Sequence, residues 1–197
     1  MRDARVLLIG GTSNAGKSTV AGVLADRLGF DYVSTDKLGR HPGRPWTTAG
    51  REVPGHVVEH YRSLSSSELV DALLAHYERM WPRIEDLVRS AAAARSTGLV
   101  LEGSGIWPTN VTQLTSPYTS AVWLSASDQV LAARIHASCG YDELPAERRY
   151  LVDKFLARSL GYQARMLNLV TRLGLDHLDV STPRSPEQLA DEILGRG

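Results

Sequence analysis

Short apolar runs recur along the chain, each followed by a stretch whose apolar residues fall three or four apart. Val6, Leu7, Leu8 and Ile9 make the first run, suited to a parallel strand buried on both faces. Val20, Val23, Leu24 and Leu28 then take a helical spacing over 19–28. Residues 30–35 (F-D-Y-V-S-T) read as a second strand ending at Asp36, and 99–101 (L-V-L) as a third ending at Glu102. A fourth covers 121–124 (A-V-W-L) and ends at Ser125; a fifth covers 175–181 (L-D-H-L-D-V-S) and ends at Ser181. Helical periodicity marks 67–80 through Leu69, Leu73, Leu74, Tyr77 and Met80, with Ser67 as its N-cap. Pro82 is expected to kink or restart that helix before Ile84, Leu87 and Val88 continue its apolar face. A helix follows over 129–135, and a long one over about 146–173 carries Leu151, Phe155, Tyr162, Met166 and Val170 near one face, with Gly161 as its weak point. Ser185-Pro186-Glu187-Gln188 reads as a capping box opening a final helix.

Strands that alternate with helices imply a parallel sheet with helices on both faces, because each right-handed crossover must pass over one face. Ligands of such sheets sit at the carboxyl ends of the strands, which singles out Asp36, Glu102, Ser125 and Ser181. Between the second strand and the next helix, a glycine- and proline-rich basic stretch over 39–55 rejects regular structure and reads as a long loop. Residues 137–145 read as an exposed turn. The 197 residues, 43% of them hydrophobic, fit one α/β domain over 1–197.

Between the first strand and the first helix, residues 11–18 spell G-T-S-N-A-G-K-S, a complete G-x-x-x-x-G-K-[ST] phosphate-binding loop in its required strand–turn–helix context. Gly11 and Gly16 let the backbone curl so that the N–H groups of Thr12, Ser13, Asn14 and Ala15 can face phosphate oxygens at a helix N-terminus. Lys17 would reach the β- and γ-phosphates, Ser18 would ligate Mg²⁺, and Thr19 would support the turn. ATP and Mg²⁺ are therefore the expected cofactors.

Charge narrows the partners. Twenty-two basic residues balance 22 acidic ones, so the chain has no net basic field of the kind that drives nucleic-acid binding. No run approaches a bilayer span. A single cysteine, Cys139, and the absence of a signal-like apolar stretch at the N-terminus point to the cytoplasm. A small-molecule acceptor is the expected partner; the oligomeric state stays open.

A phosphoryl transferase also needs an acceptor hydroxyl placed in line and a group to take its proton. Asp36, at the end of the second strand, is the expected base and a metal-site carboxylate; its alternative role is an N-cap. Glu102, with Gly103 beside it, would orient Mg²⁺ or hold substrate, or else serve as a satisfied structural carboxylate. Arg40, Arg44 and Arg51 fall in the glycine-rich loop, where guanidinium forks suit an anionic acceptor; the 39–65 region is thus the expected acceptor-binding loop. Among the later arginines, Arg134 and one of Arg148, Arg149 or Arg158 would stabilise transferred charge, with Arg148 taken as the catalytic one. Helix-surface pairing accounts for the others. The H-x-x-E-H of residues 56–60 matches a zinc-peptidase signature but has no evident third ligand. The D-x-x-G of residues 36–39 lacks the N-K-x-D of guanine recognition.

On the G-G-T-S-N-A-G-K-S-T of residues 10–19, with S-T-D at 34–36, L-V-L-E-G at 99–103 and the arginine-rich later segment, the chain resembles the P-loop small-molecule kinases. These include shikimate and gluconate kinases, chloramphenicol phosphotransferase and 2-phosphoglycerate-kinase-like proteins. The resemblance implies a P-loop NTPase three-layer sandwich, a five-stranded parallel sheet in the order 2-3-1-4-5, and a lid over about 138–149. It matches Asp36 to the acidic residue that activates the acceptor hydroxyl, Arg134 to the helix arginine facing adenine or phosphate, and Ser181-Thr182-Pro183 to the loop lining the adenine pocket. The chain departs from the pattern in lacking the G-R-x-x-x-R lid of nucleoside monophosphate kinases and the glycine triplet of shikimate kinases. The reading is an ATP- and Mg²⁺-dependent kinase acting on a hydroxyl of an anionic metabolite or a hydroxylated antibiotic. The alternative is a nucleotide-dependent regulatory ATPase that binds a protein partner.

Overall fold

The computed structural model describes residues 4–39, 42–47, 52–94 and 97–196. Five parallel strands, β1 (Val6–Gly11), β2 (Asp31–Ser34), β3 (Leu99–Glu102), β4 (Thr119–Ser125) and β5 (His177–Asp179), form one sheet in the order β2-β3-β1-β4-β5. The topology is the expected one. The fifth strand is only three residues long, and the second ends at Ser34, because residues 35–37 wind into a 3₁₀ turn.

Alternation along β1 divides the core. Leu7 and Ile9, with Val100, Val122, Leu124 and Leu178, pack on one face against α1 (Lys17–Leu28) and α7 (Pro186–Gly195). Val6 and Leu8, with Leu99, Leu101 and Trp123, pack on the other against α3 (Ser66–Ala93) and α6 (Ala146–Leu173). A third cluster joins α2 (Gly55–Ser63), α5 (Asp128–Cys139) and α6 through Val57, Tyr61, Ile135, Leu151 and Phe155. The short α4 (Pro108–Thr112) completes the helices among the described residues.

Three expectations are corrected. The helix expected to be capped by Ser67 starts at Ser66 with Ser65 as its N-cap, because Ser65 and Glu68 form a full capping box. It also runs unbroken through Pro82: Trp81, Ile84 and Val88 are buried on the sheet, and that packing outweighs one absent backbone hydrogen bond. The 39–65 region is not all loop. Val57 and Tyr61, four apart, bury one face of α2 among α5 and α6, a pairing hidden by the neighbouring glycines and prolines. The 138–149 segment contains the end of α5, an αL turn at Gly140, a 3₁₀ turn at 141–143 and the first turn of α6. Cys139 therefore closes a helix, donating to the His136 carbonyl at 3.3 Å, and burial raises its thiol pKa.

Gly161 is a close-packing position within α6: a Cβ there would stand 3.1 Å from Val70 Cγ2, so its absence lets α3 and α6 approach. Approach is closer still at Gly10, where a Cβ would meet the Trp123 indole Nε1 at 2.3 Å and the Ile106 carbonyl oxygen at 3.0 Å. That indole is fully buried and donates to the same carbonyl at 2.9 Å. Gly10→Ala is expected to destabilise the fold by roughly 2–4 kcal/mol, from overpacking and the disrupted indole bond. A lowered urea midpoint with an unchanged m-value checks it.

Candidate active site

At the carboxyl end of β1 the chain turns through residues 12–16 into α1. Gly11, at φ 134°, leaves no room for a side chain: a Cβ would lie 2.3 Å from the Leu124 carbonyl oxygen across the β1–β4 register. Asn14 and Gly16 take left-handed φ values of 63° and 90°, and asparagine tolerates that region better than most residues. A Cβ at Gly16 would meet nothing within 4 Å, so backbone conformation, not space, fixes glycine there.

Three hydrogen bonds hold the loop from outside. Ser104 Oγ donates to the Gly11 carbonyl at 2.8 Å, and Tyr162 Oη holds the Ser104 carbonyl at 2.6 Å. Thr12 Oγ1 donates to the Ser159 carbonyl of α6 at 3.1 Å. Arg134 of α5 bridges from the Asn14 carbonyl, 3.4 Å, to the Val180 carbonyl, 3.2 Å. Ser127 N and Asp179 both engage Ser181 Oγ, so the 181–183 loop stands next to this bridge.

Lys17 is buried, and its ammonium donates to the Thr12 carbonyl at 2.7 Å. Burial lowers its pKa below the ordinary lysine value, opposed by the charges of Glu102 and Asp36. Glu102 is 2% exposed and paired in register with Ile9 on one side and Ser34 on the other. One of its oxygens, Oε1, accepts from Ser18 Oγ at 3.1 Å and from Tyr32 Oη at 3.0 Å. Serine and carboxylate thus meet at the first turn of α1, a donor set that suits a cation held by one or two protein groups together with phosphates and water. Among the described residues no cluster of three or more histidine, cysteine or acidic side chains could hold a metal by itself, the H-x-x-E-H residues included.

Asp36 is exposed into the same cleft. Its backbone N–H donates to Ser34 Oγ, so Ser34 caps the turn and the Asp36 carboxylate is not used for capping. Gly103, at φ 149°, brings β3 against that turn so closely that a Cβ would overlap Thr35 Oγ1. This contact sets Asp36 beside Glu102.

The cleft has a volume of about 770 Å³. Of the expected site residues, Ser13, Asn14, Gly16, Lys17, Ser18, Thr19, Asp36, Arg44, Glu102, Gly103 and Arg134 line it. Arg40 and Arg51 lie outside the described residues. Ser181, Thr182 and Pro183 do not line this cleft and reach it only through Arg134. Arg148 does not line the cleft. It stands in the first turn of α6, ten residues and therefore about 15 Å of helix rise before Arg158, and it is Arg158 that lines the cleft. Sequence reasoning also missed His56, His76, Tyr77, Met80 and Phe155 on the wall, and Tyr32 behind Glu102. The apolar spacing that placed Tyr77, Met80 and Phe155 on helix faces was legible, but not which end of each helix opens on the cleft.

No family model and no curated protein sequence matches the chain. Among solved structures, a sugar kinase from Janibacter sp. HTCC2649 aligns over 98% of this chain and 93% of its own, with a TM-score of 0.59 and 16% identity. A gluconokinase from Sinorhizobium meliloti 1021 aligns over 96% and 89%, at 0.54 and 17%. Shikimate kinase from Aquifex aeolicus vf5 aligns over 96% and 94%, at 0.53 and 16%. The fold is that of the P-loop small-molecule kinases. Among the described residues no helix is long and apolar enough to cross a membrane.

The lowered Lys17 pKa carries a linkage sign. The unfolded chain holds the proton up to the ordinary value of 10.5 and the folded chain releases it earlier, so this residue's contribution to stability grows as pH rises through that window. Ligand-free Lys17→Met is expected to melt at or above the wild-type temperature near pH 7, with the difference shrinking toward pH 10. Thermal melts of both proteins across that range check the sign.

Proposed function

We propose that the protein is an ATP- and Mg²⁺-dependent kinase that transfers the γ-phosphoryl group to a hydroxyl of a small molecule, an anionic metabolite or a hydroxylated antibiotic. The observation that carries this is one continuous cleft with two different walls. Phosphate-loop residues and the Ser18–Glu102 pair line one side; Asp36 and side chains of α3 and α6 line the other. Its size leaves space for a second small molecule beside the phosphates. A regulatory ATPase that acts on a protein partner needs no such compartment.

When bound, Mg-ATP supplies the phosphoryl group and neutralises charge between the β- and γ-phosphates. The chain's own part is positioning. The loop N–H groups and the α1 N-terminus hold the phosphates. Lys17, its ammonium now held by one neutral acceptor, would turn from the Thr12 carbonyl to a phosphate oxygen. Ser18 and Glu102 would hold the cation, with Tyr32 donating to the Glu102 carboxylate. Asp36, free of capping and exposed to the cleft, takes the proton from the acceptor hydroxyl. Arg134 stabilises charge next to Asn14. The 138–149 segment is the proposed lid, and the whole of 1–197 works as one kinase domain in the cytoplasm.

ADP release from Mg-ATP, measured across sugar acids, phosphoglycerates, nucleosides and hydroxylated antibiotics, tests the proposal. Stimulation by one acceptor is expected, reduced at least 100-fold in Lys17→Ala and in Asp36→Asn. A slow rate that no acceptor raises and that Asp36→Asn leaves unchanged would sink the kinase reading in favour of the regulatory ATPase.

A further inference from the structure

Arg158 is the most deeply buried cation on the cleft wall, at 3% exposure. Among the described residues, no carboxylate lies within ion-pair distance of it. One Nη donates to Tyr61 Oη, and its Nε is buried with no partner. The guanidinium lies 4.4 Å from the Phe155 ring centroid and 5.4 Å from that of Tyr61. Such faces hold a cation in place without neutralising it. A buried guanidinium with one neutral oxygen partner and an idle N–H is costly unless an anion completes it.

Its field falls on a different set of neighbours from those around Lys17. The charges acting on Lys17 are those of Glu102, Asp36 and Arg44, whereas that of Arg158 acts on His60, Tyr61 and Tyr77. Tyr77 feels both Arg158 and Asp36, and all three line the same cleft. Met80 and Phe155 add apolar surface to the same compartment. Arg44, stacked 5.7 Å from the Trp46 ring centroid, contributes a second cation at the exposed rim.

We infer that Arg158 anchors a fixed anionic group, carboxylate or phosphate, on the acceptor, whose hydroxyl is presented to Asp36 at the other end of an apolar body lying along Tyr77. This rests on the phosphoryl-transfer reading of the cleft and adds to it the substrate class. A planar fork with an unused N–H suits either oxyanion. Specificity follows from the same geometry: an acceptor that lacks the anion leaves the guanidinium buried and unpaired, a penalty the anionic one avoids.

Isothermal titration of the full chain, saturated with a non-hydrolysable Mg-ATP analogue, separates the cases. D-glycerate, D-gluconate and 2-phosphoglycerate are the anionic probes; glycerol and sorbitol are the uncharged ones. At least one anionic probe is expected to bind ten or more times tighter than its uncharged counterpart, and the glycerate and phosphoglycerate arms tell carboxylate from phosphate. Arg158→Met should erase that preference while leaving affinity for the ATP analogue within twofold. Arg158→Lys, which keeps the charge and loses the fork, should retain part of it and guards against misfolding of the methionine variant. Equal binding of charged and uncharged probes, no binding by any anionic probe, or a loss in Arg158→Met confined to the analogue would each overturn the assignment. Anion binding without any ADP release would leave the subsite standing and remove the kinase reading. Stimulated ADP release by uncharged acceptors alone would do the reverse.

Discussion

Strand β1 passes its neighbours at Gly10 and Gly11 at distances that no side chain tolerates, and the geometry of the cleft follows from that approach. At Gly10 the backbone meets the buried indole of Trp123, and at Gly11 it meets the β4 backbone itself. The 103–106 turn is drawn in by the same contact, through the indole bond to Ile106 and the Ser104 bond to Gly11. Register then places Glu102 opposite Ile9, from where its carboxylate reaches Ser18 in the first turn of α1. A side chain at any of these glycines would move the carboxylate, the serine or the phosphate loop relative to the others.

How much of this was legible in the sequence depends on the range of the interaction. The five strands and the phosphate loop were readable from apolar runs and a local glycine spacing, and the strand order followed from the resemblance to the P-loop small-molecule kinases. Glu102 was found because it ends a strand next to β1, and Asp36 because it lies just past the second strand, in the 3₁₀ turn that follows β2. What escaped were decisions taken between elements. Pro82 is tolerated because its neighbours are buried against strands that lie beyond the end of the helix in sequence, and α2 is visible only once Tyr61 is seen against Phe155. Arg148 and Arg158 look alike in one dimension. Their difference is a length of helix, and no local pattern says where along α6 the cleft opens.

The electrostatics of the cleft are those of an apparatus waiting for negative charge. Lys17 and Arg158 are both buried, and the acid partners of the first are shared with other donors while the second has none within ion-pair distance among the described residues. In a chain whose acidic and basic residues balance, this local cationic excess is a property of placement rather than composition. It also explains why overall charge said nothing about the ligand beyond disfavouring a polyanion.

The contact between Gly161 and Val70 joins two helices of 28 residues each, and those two helices carry His76, Tyr77, Met80, Phe155 and Arg158 into the cleft. That wall of the cleft is thus made of helix faces whose spacing is set within one turn of Arg158. On the kinase reading, side chains at those five positions would choose the acceptor while the phosphate loop handles the phosphoryl group, so that what is moved and how it is moved fall to different parts of the molecule.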